Sequence, residues 1–335
     1  MTDSTPIIIT PGDPAGVGPE IALKALARHD DLRAMTVLMG DENHLTELAA
    51  SCDLDISFKS WQEGAPLSAD AIHLHPLKWP ANVISGSPDV ANASIVIEAI
   101  QKAVELVQNE KASAIVTCPI AKSVLYEAGF TYPGHTEFLG ALSLSDTPPI
   151  MMLANAHLRV VPATIHLPLS KVAESLSVNA LTDLFSHVAH ALQHDFGIEN
   201  PHIAICGFNP HAGEDGAMGL EEDTIIRPAI KAYQEKRDSR ATLSGPWAAD
   251  SLFHAEKRAS YDCVIGMYHD QVLIPVKTID FHGSANITLG LDFVRSSPDH
   301  GTAFDIAGQN KANPASLINA IYIARDMAKN RQIER

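Results

Sequence analysis

Short aliphatic runs alternate along the chain with longer stretches whose apolar residues recur at helical spacing. Ile7-Ile8-Ile9, Thr36 to Met39, Ala114 to Val116, Ile150 to Leu153, Val160 to Ile165, Ile203 to Ile205 and Cys263 to Ile265 are too short for stable helices. They are almost wholly apolar, and several end in Gly, Pro or a polar residue, which marks buried strands. Between them, residues 19–27, 91–108, 181–192, 221–233 and 314–327 carry helical patterns, with Ile95, Ala99, Val104 and Val107 tracing one face of the second. Pro19 falls in a first turn, where its missing N–H costs nothing. Strands that are hydrophobic throughout and separated by helices predict a mainly parallel sheet covered on both faces. No internal repeat, low-complexity tract, charge block or obvious linker interrupts the pattern. Two domains would therefore be joined closely, with the chain crossing between them twice.

Composition narrows the function. Of 335 residues, 24 are Lys or Arg and 40 are Asp or Glu, a formal charge of −16. That balance argues against a duplex nucleic-acid binder, which needs a basic footprint. It leaves room for a small anionic ligand, which local charge decides. Hydrophobic residues make up 46% and aromatics 6%, so the core is expected to be aliphatic. No apolar run reaches the roughly 18 residues that span a bilayer, and no membrane partner is expected. The polar stretch Met1 to Pro6 does not read as a secretory signal. Cys52, Cys118, Cys206 and Cys263 are far apart, as reduced thiols of a cytoplasmic protein would be.

Several strand ends carry candidate chemistry, each with a plainer alternative. Gly12, Gly16 and Gly18 follow the first strand, without G-x-G-x-x-G or P-loop spacing; they form a tight turn or a loop favouring a polar ligand at the following helix. Lys122 follows the strand ending at Val116 and could act as a base if its pKa is lowered. Gly134-His135-Thr136-Glu137 offers a ring nitrogen, a hydroxyl and a carboxylate, or a simple helix cap. His166, His211 and His269 each follow a strand. Singly they read as structural histidines; together they would meet on one sheet edge as three imidazoles around a divalent metal. Asp250 and Asp270 are candidate partners for orienting those rings. Lys277, Asn286 and Arg295 suggest a local phosphate or carboxylate pocket, or scattered solvated groups. The loop His300-Gly301-Thr302-Ala303, running on to Asn313, could hold a nucleotide or be an ordinary connection.

Taken together these motifs resemble the PdxA family, the 4-hydroxythreonine-4-phosphate dehydrogenases of vitamin B6 biosynthesis. The most specific stretches are Pro133 to Phe138, Thr164 to Leu169, Gly207 to Glu214, Met267 to Gln271 and Asn286 to Gly290, and the resemblance covers nearly the whole chain. It implies two α/β/α domains with mainly parallel sheets, similar to isocitrate and isopropylmalate dehydrogenases, with the active site in the interdomain cleft. The expected division is residues 1–130 plus about 300–335 for one domain and about 131–299 for the other. The resemblance further implies metal ligation by His166, His211 and His269, the ion being Zn, Co or Mg. Substrate contacts fall to His135, Thr136, Lys277, Asn286 and Arg295. NAD or NADP is expected on His300, Gly301, Thr302, Ala303 and Asn313, and a homodimer with histidines from both subunits in each site. Ala121 departs from the polar residue that relatives often carry before the lysine.

The implied reaction is oxidation of the hydroxyl β to a carboxylate, then loss of carbon dioxide from the resulting β-keto acid. Lys277 and Arg295 would hold the phosphate, Asn286 would orient it, and Lys122 or Asp250 would be the base. Two alternatives share these motifs: a paralogue acting on another phosphorylated hydroxy acid, such as a four-carbon sugar acid phosphate, and a non-catalytic metabolite-binding protein.

Overall fold

A computed structural model describes residues 5–237 and 239–333; residues 1–4 of the polar N-terminal stretch lie outside the described residues. The strands are β1 (Ile7–Thr10), β2 (Thr36–Gly40), β3 (Phe58–Ser60), β4 (Ile72–Pro76), β5 (Ala114–Thr117), β6 (Ile150–Asn155), β7 (Leu158–Pro162), β8 (His202–Cys206), β9 (Thr242–Trp247), β10 (Cys263–Gly266), β11 (Ala285–Leu289) and β12 (Arg295–Pro298). The chain divides into two compact units, residues 1–149 with 285–328, and residues 150–284 with 329–335.

In the first unit the strand order is β3-β4-β2-β1-β5-β12-β11, and in the second β6-β7-β10-β8-β9. Neighbours within each unit run parallel except β11 with β12 and β6 with β7. The fold class is thus the α/β architecture expected from the sequence. Parallel neighbours need crossover connections, and helices supply them, among them Val17–Arg28, Ala93–Gln108 and Val178–His194.

Two crossing points differ from those expected, lying after residues 149 and 284 rather than near 130 and 300, and a third follows residue 328. Packing explains both. The helix His135–Leu142 inserts Phe138 and Leu139 into the first unit's core, beside Ile115, Phe130 and Phe293. The strand β12 pairs in parallel with β5, Arg295 opposite Ile115, which fixes residues 285–299 in the same unit. The second unit has its own aliphatic core, built on Leu153, Val160, Ala204, Val264, Val272 and Val276.

One strand also shifted. The expected 160–165 segment is β7, ending at Pro162. The backbone N–H groups of His157 and Leu158 donate to Asn155 Oδ1, closing a tight β6–β7 hairpin that moves pairing toward the N-terminus. Beyond Pro162 the chain turns away, Ala163 N–H donating to Gly266 O and Thr164 Oγ1 to Met267 O.

Candidate active site

In the first unit β1, β5 and β12 run parallel, so the loops after them emerge at one edge, where ligands bind in such sheets. Gly12 has φ +68°, and a Cβ there would lie 2.2 Å from Pro119 O, so only glycine fits. Asp13 N–H donates to Pro119 O and Val17 N–H to Thr302 O. The glycine loop thus serves to pack the three loops together. Asp13 is buried there, and desolvation raises its carboxyl above the usual range despite the N–H bond from Ala15.

Arg295 is a buried cation of this unit. It is 3% exposed on β12. Its Nε and Nη2 donate to Thr117 Oγ1 at 3.2 and 2.7 Å, and its Nη1 to Thr288 Oγ1 at 2.8 Å and Asn286 Oδ1 at 3.5 Å. These partners are neutral oxygens, and burial lowers the guanidinium pKa to about 10. His135 opens the helix His135–Leu142, and its Nε2 is buried without a hydrogen-bond partner among the described residues. Burial, then the Arg295 and Lys122 cations, holds its pKa well below the usual imidazole value. The ring is therefore neutral. Lys122 begins the helix Lys122–Glu127, its Nζ 3.4 Å from where a Gly134 Cβ would stand. The helix-cap alternative for this motif does not hold: Gly134 is the N-cap and no side chain bonds the helix start.

The loop after β12 is pinned on its inner side. Glu20 Oε2 accepts from Gly308 N–H at 2.9 Å and Oε1 from Ala312 N–H at 3.0 Å; Lys24 Nζ bonds Glu20 Oε1 and Ala312 O. Gly301 faces open space, and Ala303 takes a left-handed conformation. Asn313 Oδ1 accepts from Ala315 N–H at the start of the helix Ala315–Ile333, so one of its polar atoms has a structural task.

In the second unit β7, β10 and β8 are adjacent and parallel, and His166, His269 and His211 follow their carboxyl ends. His166 and His269 approach with ring centroids 6.0 Å apart. Two imidazoles on one tetrahedral ion would have centroids about 5 Å apart, given a Zn–N length of about 2 Å. Asp270 Oδ1 lies 2.7 Å from His269 Nδ1, which leaves Nε2 to ligate. The donor chemistry suits a divalent ion, while the 6.0 Å separation is wider than two ligands of one ion would show. Among the described residues, no three His, Cys, Asp or Glu side chains form a metal-binding group. His211 sits apart from that pair in character: residues 211–215 all have positive φ, a left-handed turn costly for residues other than glycine. Glu222 braces it, accepting from Phe208 N–H and Asn209 N–H at 2.7 Å each. Gln271 ties the His211 loop to the His269 loop, donating to Gly207 O and accepting from Met267 N–H, both at 2.7 Å. Lys277 lies on the helix His269–Ile279, its Nζ 5.8 Å from the Phe281 ring centre. Asp250 is exposed on the turn Ala249–Ser251.

A model of the family described as pyridoxal phosphate biosynthetic protein PdxA matches residues 32–324. The chain belongs to the PdxA family. A relative from Ruegeria sp. (strain TM1040), named 4-hydroxythreonine-4-phosphate dehydrogenase, is 49% identical over 99% of this chain and 100% of its own length. The crystal structure of 4-hydroxythreonine-4-phosphate dehydrogenase from Klebsiella pneumoniae superposes with a TM-score of 0.87 at 35% identity, covering 97% of this chain and 100% of that one. More distant is a terephthalate 1,2-cis-dihydrodiol dehydrogenase from Burkholderia xenovorans LB400, with a TM-score of 0.64 and 29% identity over 96% and 97% of the two chains. No site role was expected of Thr117, Thr288, Glu20, Glu222 or Gln271, although Gln271 and Thr288 lie within the stretches Met267 to Gln271 and Asn286 to Gly290. The available signal was a polar residue inside an otherwise apolar strand or helix face.

Proposed function

We propose that this PdxA family member oxidises 4-phosphooxy-L-threonine to 2-amino-3-oxo-4-phosphooxybutanoate, which loses carbon dioxide to give 3-amino-2-oxopropyl phosphate. The observation that carries the reading is Arg295, a buried guanidinium held by neutral oxygens, whose charge is available to a phosphate. Lys277 is the second phosphate contact, Asn286 orients the group, and His135 with Thr136 contacts the rest of the substrate. Neutral His135 adds no competing charge beside Arg295 and offers Nε2 to a substrate polar group.

In the oxidation the C–H electron pair leaves as hydride and the hydroxyl proton passes to a base. Lys122 Nζ, close to Gly134, is the assigned base, with Asp250 the alternative. The β-keto acid then breaks its C–C bond to the carboxylate, and the electron pair left behind is protonated. NAD or NADP would supply the hydride acceptor, and His300, Gly301, Thr302, Ala303 and Asn313 would hold it. Open space at Gly301 and the pinned inner side of that loop suit this task. A divalent ion, Zn, Co or Mg, would polarise the reacting oxygen. His166, His211 and His269 would hold it, in a homodimer whose sites draw imidazoles from both subunits. Titrating chelator-treated protein with cobalt checks this: a visible ligand-field spectrum in a sedimenting dimer, lost in His211→Ala, is expected. A monomer, or a spectrum unchanged in that variant, refutes the shared site.

The dehydrogenase reading is tested with a substrate panel followed by nicotinamide reduction. The substrate 4-phosphooxy-L-threonine should be preferred by at least tenfold in kcat/KM. Preference for a four-carbon sugar acid phosphate, or for a cis-dihydrodiol, would assign a paralogous activity instead.

A further inference from the structure

The four strands β1, β5, β12 and β11 lie side by side. Thr10 stands in register with Thr117. Two residues beyond Ile115, the partner of Arg295, is Thr117 on the same face of β5, and the antiparallel register that pairs Asn286 with Ser297 sets Thr288 opposite Arg295. A row of buried threonine hydroxyls therefore brackets one buried cation.

We propose that Thr117 and Thr288 are positioning residues that orient Arg295 for the substrate's phosphate. This rests on the assignment of Arg295 to that phosphate. Thr117 Oγ1 takes two donors from one edge of the guanidinium, and Thr288 Oγ1 takes one from Nη1. Two anchors on different nitrogens fix both the plane of the group and its rotation. Guanidinium carries five N–H donors in a rigid fork. Once these are engaged, a remaining Nη2 hydrogen has a defined direction. A carboxylate in place of either threonine would hold the fork as well, yet it would cancel the charge. Hydroxyls give geometry and leave the charge in place. Both threonines are buried, at 0% and 1% exposure, so they act through Arg295 and have no contact with bulk solvent to explain their polarity.

The test uses Thr117→Val and Thr288→Val, which keep the β-branched shape that suits a strand, with Thr117→Ser and Thr288→Ser as hydroxyl-retaining controls. Two readouts are taken on the full-length protein: steady-state kinetics with 4-phosphooxy-L-threonine, and calorimetric affinity for inorganic phosphate. Each valine variant should raise KM for the substrate and weaken phosphate binding about tenfold, with kcat and the nicotinamide KM within about threefold of wild type. The serine variants should restore both. Circular dichroism identifies any valine variant that fails to fold, in which case the other valine variant decides. Valine variants that bind phosphate as tightly as wild type, or serine variants as impaired as valine, overturn the proposal. Should wild type bind phosphate but not turn over 4-phosphooxy-L-threonine, the substrate assignment fails while the phosphate affinities still decide the role of the threonines.

Discussion

His135 shows what burial does to a single side chain. Its Nε2 is enclosed, and the Arg295 and Lys122 cations oppose its protonation after desolvation has already done so. His44, His73 and His75 are lowered as well, each chiefly by burial. A base whose folded pKa is depressed below its unfolded value near 6.5 stabilises the fold fully above that value. The contribution declines as pH falls toward the folded pKa, at up to about 1.4 kcal/mol per pH unit per group. Unfolding stability should therefore fall between pH 7 and pH 5.5. In His135→Gln the fall should be smaller by about 1 kcal/mol, read from urea midpoints at the two pH values. An equal fall in both proteins would show that the ring is not held neutral by its surroundings. At this scale His166, His211 and His269 stood out in the sequence because each follows an apolar strand-like run, and His135 because of the Pro133 to Phe138 stretch. Thr117 and Thr288 were legible only as polar residues in apolar strands, since a hydroxyl there does not tell which group from another strand it will meet.

The helix Val17–Arg28 does more than cover the sheet. Glu20 and Lys24, one turn apart and both buried, form an ion pair 2.8 Å long. The same carboxylate receives the Gly308 and Ala312 N–H groups, and the lysine donates to Ala312 O. Breaking such a pair from one side leaves a buried uncompensated charge, which costs about 3–5 kcal/mol. Glu20→Ala should lower unfolding stability by about that amount and speed hydrogen exchange at Gly308 and Ala312. Unchanged exchange at those two amides would show that the loop is held elsewhere. Element by element, apolar strands such as β1, β5, β8 and β10 were readable from their runs. The strand β12 was not, since Arg295-Ser296-Ser297-Pro298 looks like a loop. It is a buried strand because its polar groups are satisfied internally, Ser296 Oγ donating to Ala320 O and Arg295 to the two threonines. The edge strand β3 and the alternating β4 carried too little apolar signal to stand out.

Across the whole molecule, a formal charge of −16 coexists with a buried cation. The two facts concern different regions: net charge is a whole-surface property, whereas Arg295 is buried in the first unit among neutral oxygens. Among the described residues, no helix is long and apolar enough to cross a membrane. All four cysteines are free and buried, and burial pushes the Cys118 and Cys263 thiols up to about 12. The parallel α/β architecture was legible because its alternation of strand and helix is local. The crossing points were harder to place, since they depend on where the helix His135–Leu142 and the strand β12 pack. The central claim is a dehydrogenation followed by decarboxylation, and one stoichiometric measurement meets it directly. With 4-phosphooxy-L-threonine limiting and nicotinamide and divalent metal in excess, one reduced nicotinamide and one carbon dioxide per substrate consumed are predicted. Substrate left intact, or nicotinamide reduced with no carbon dioxide released, would contradict it.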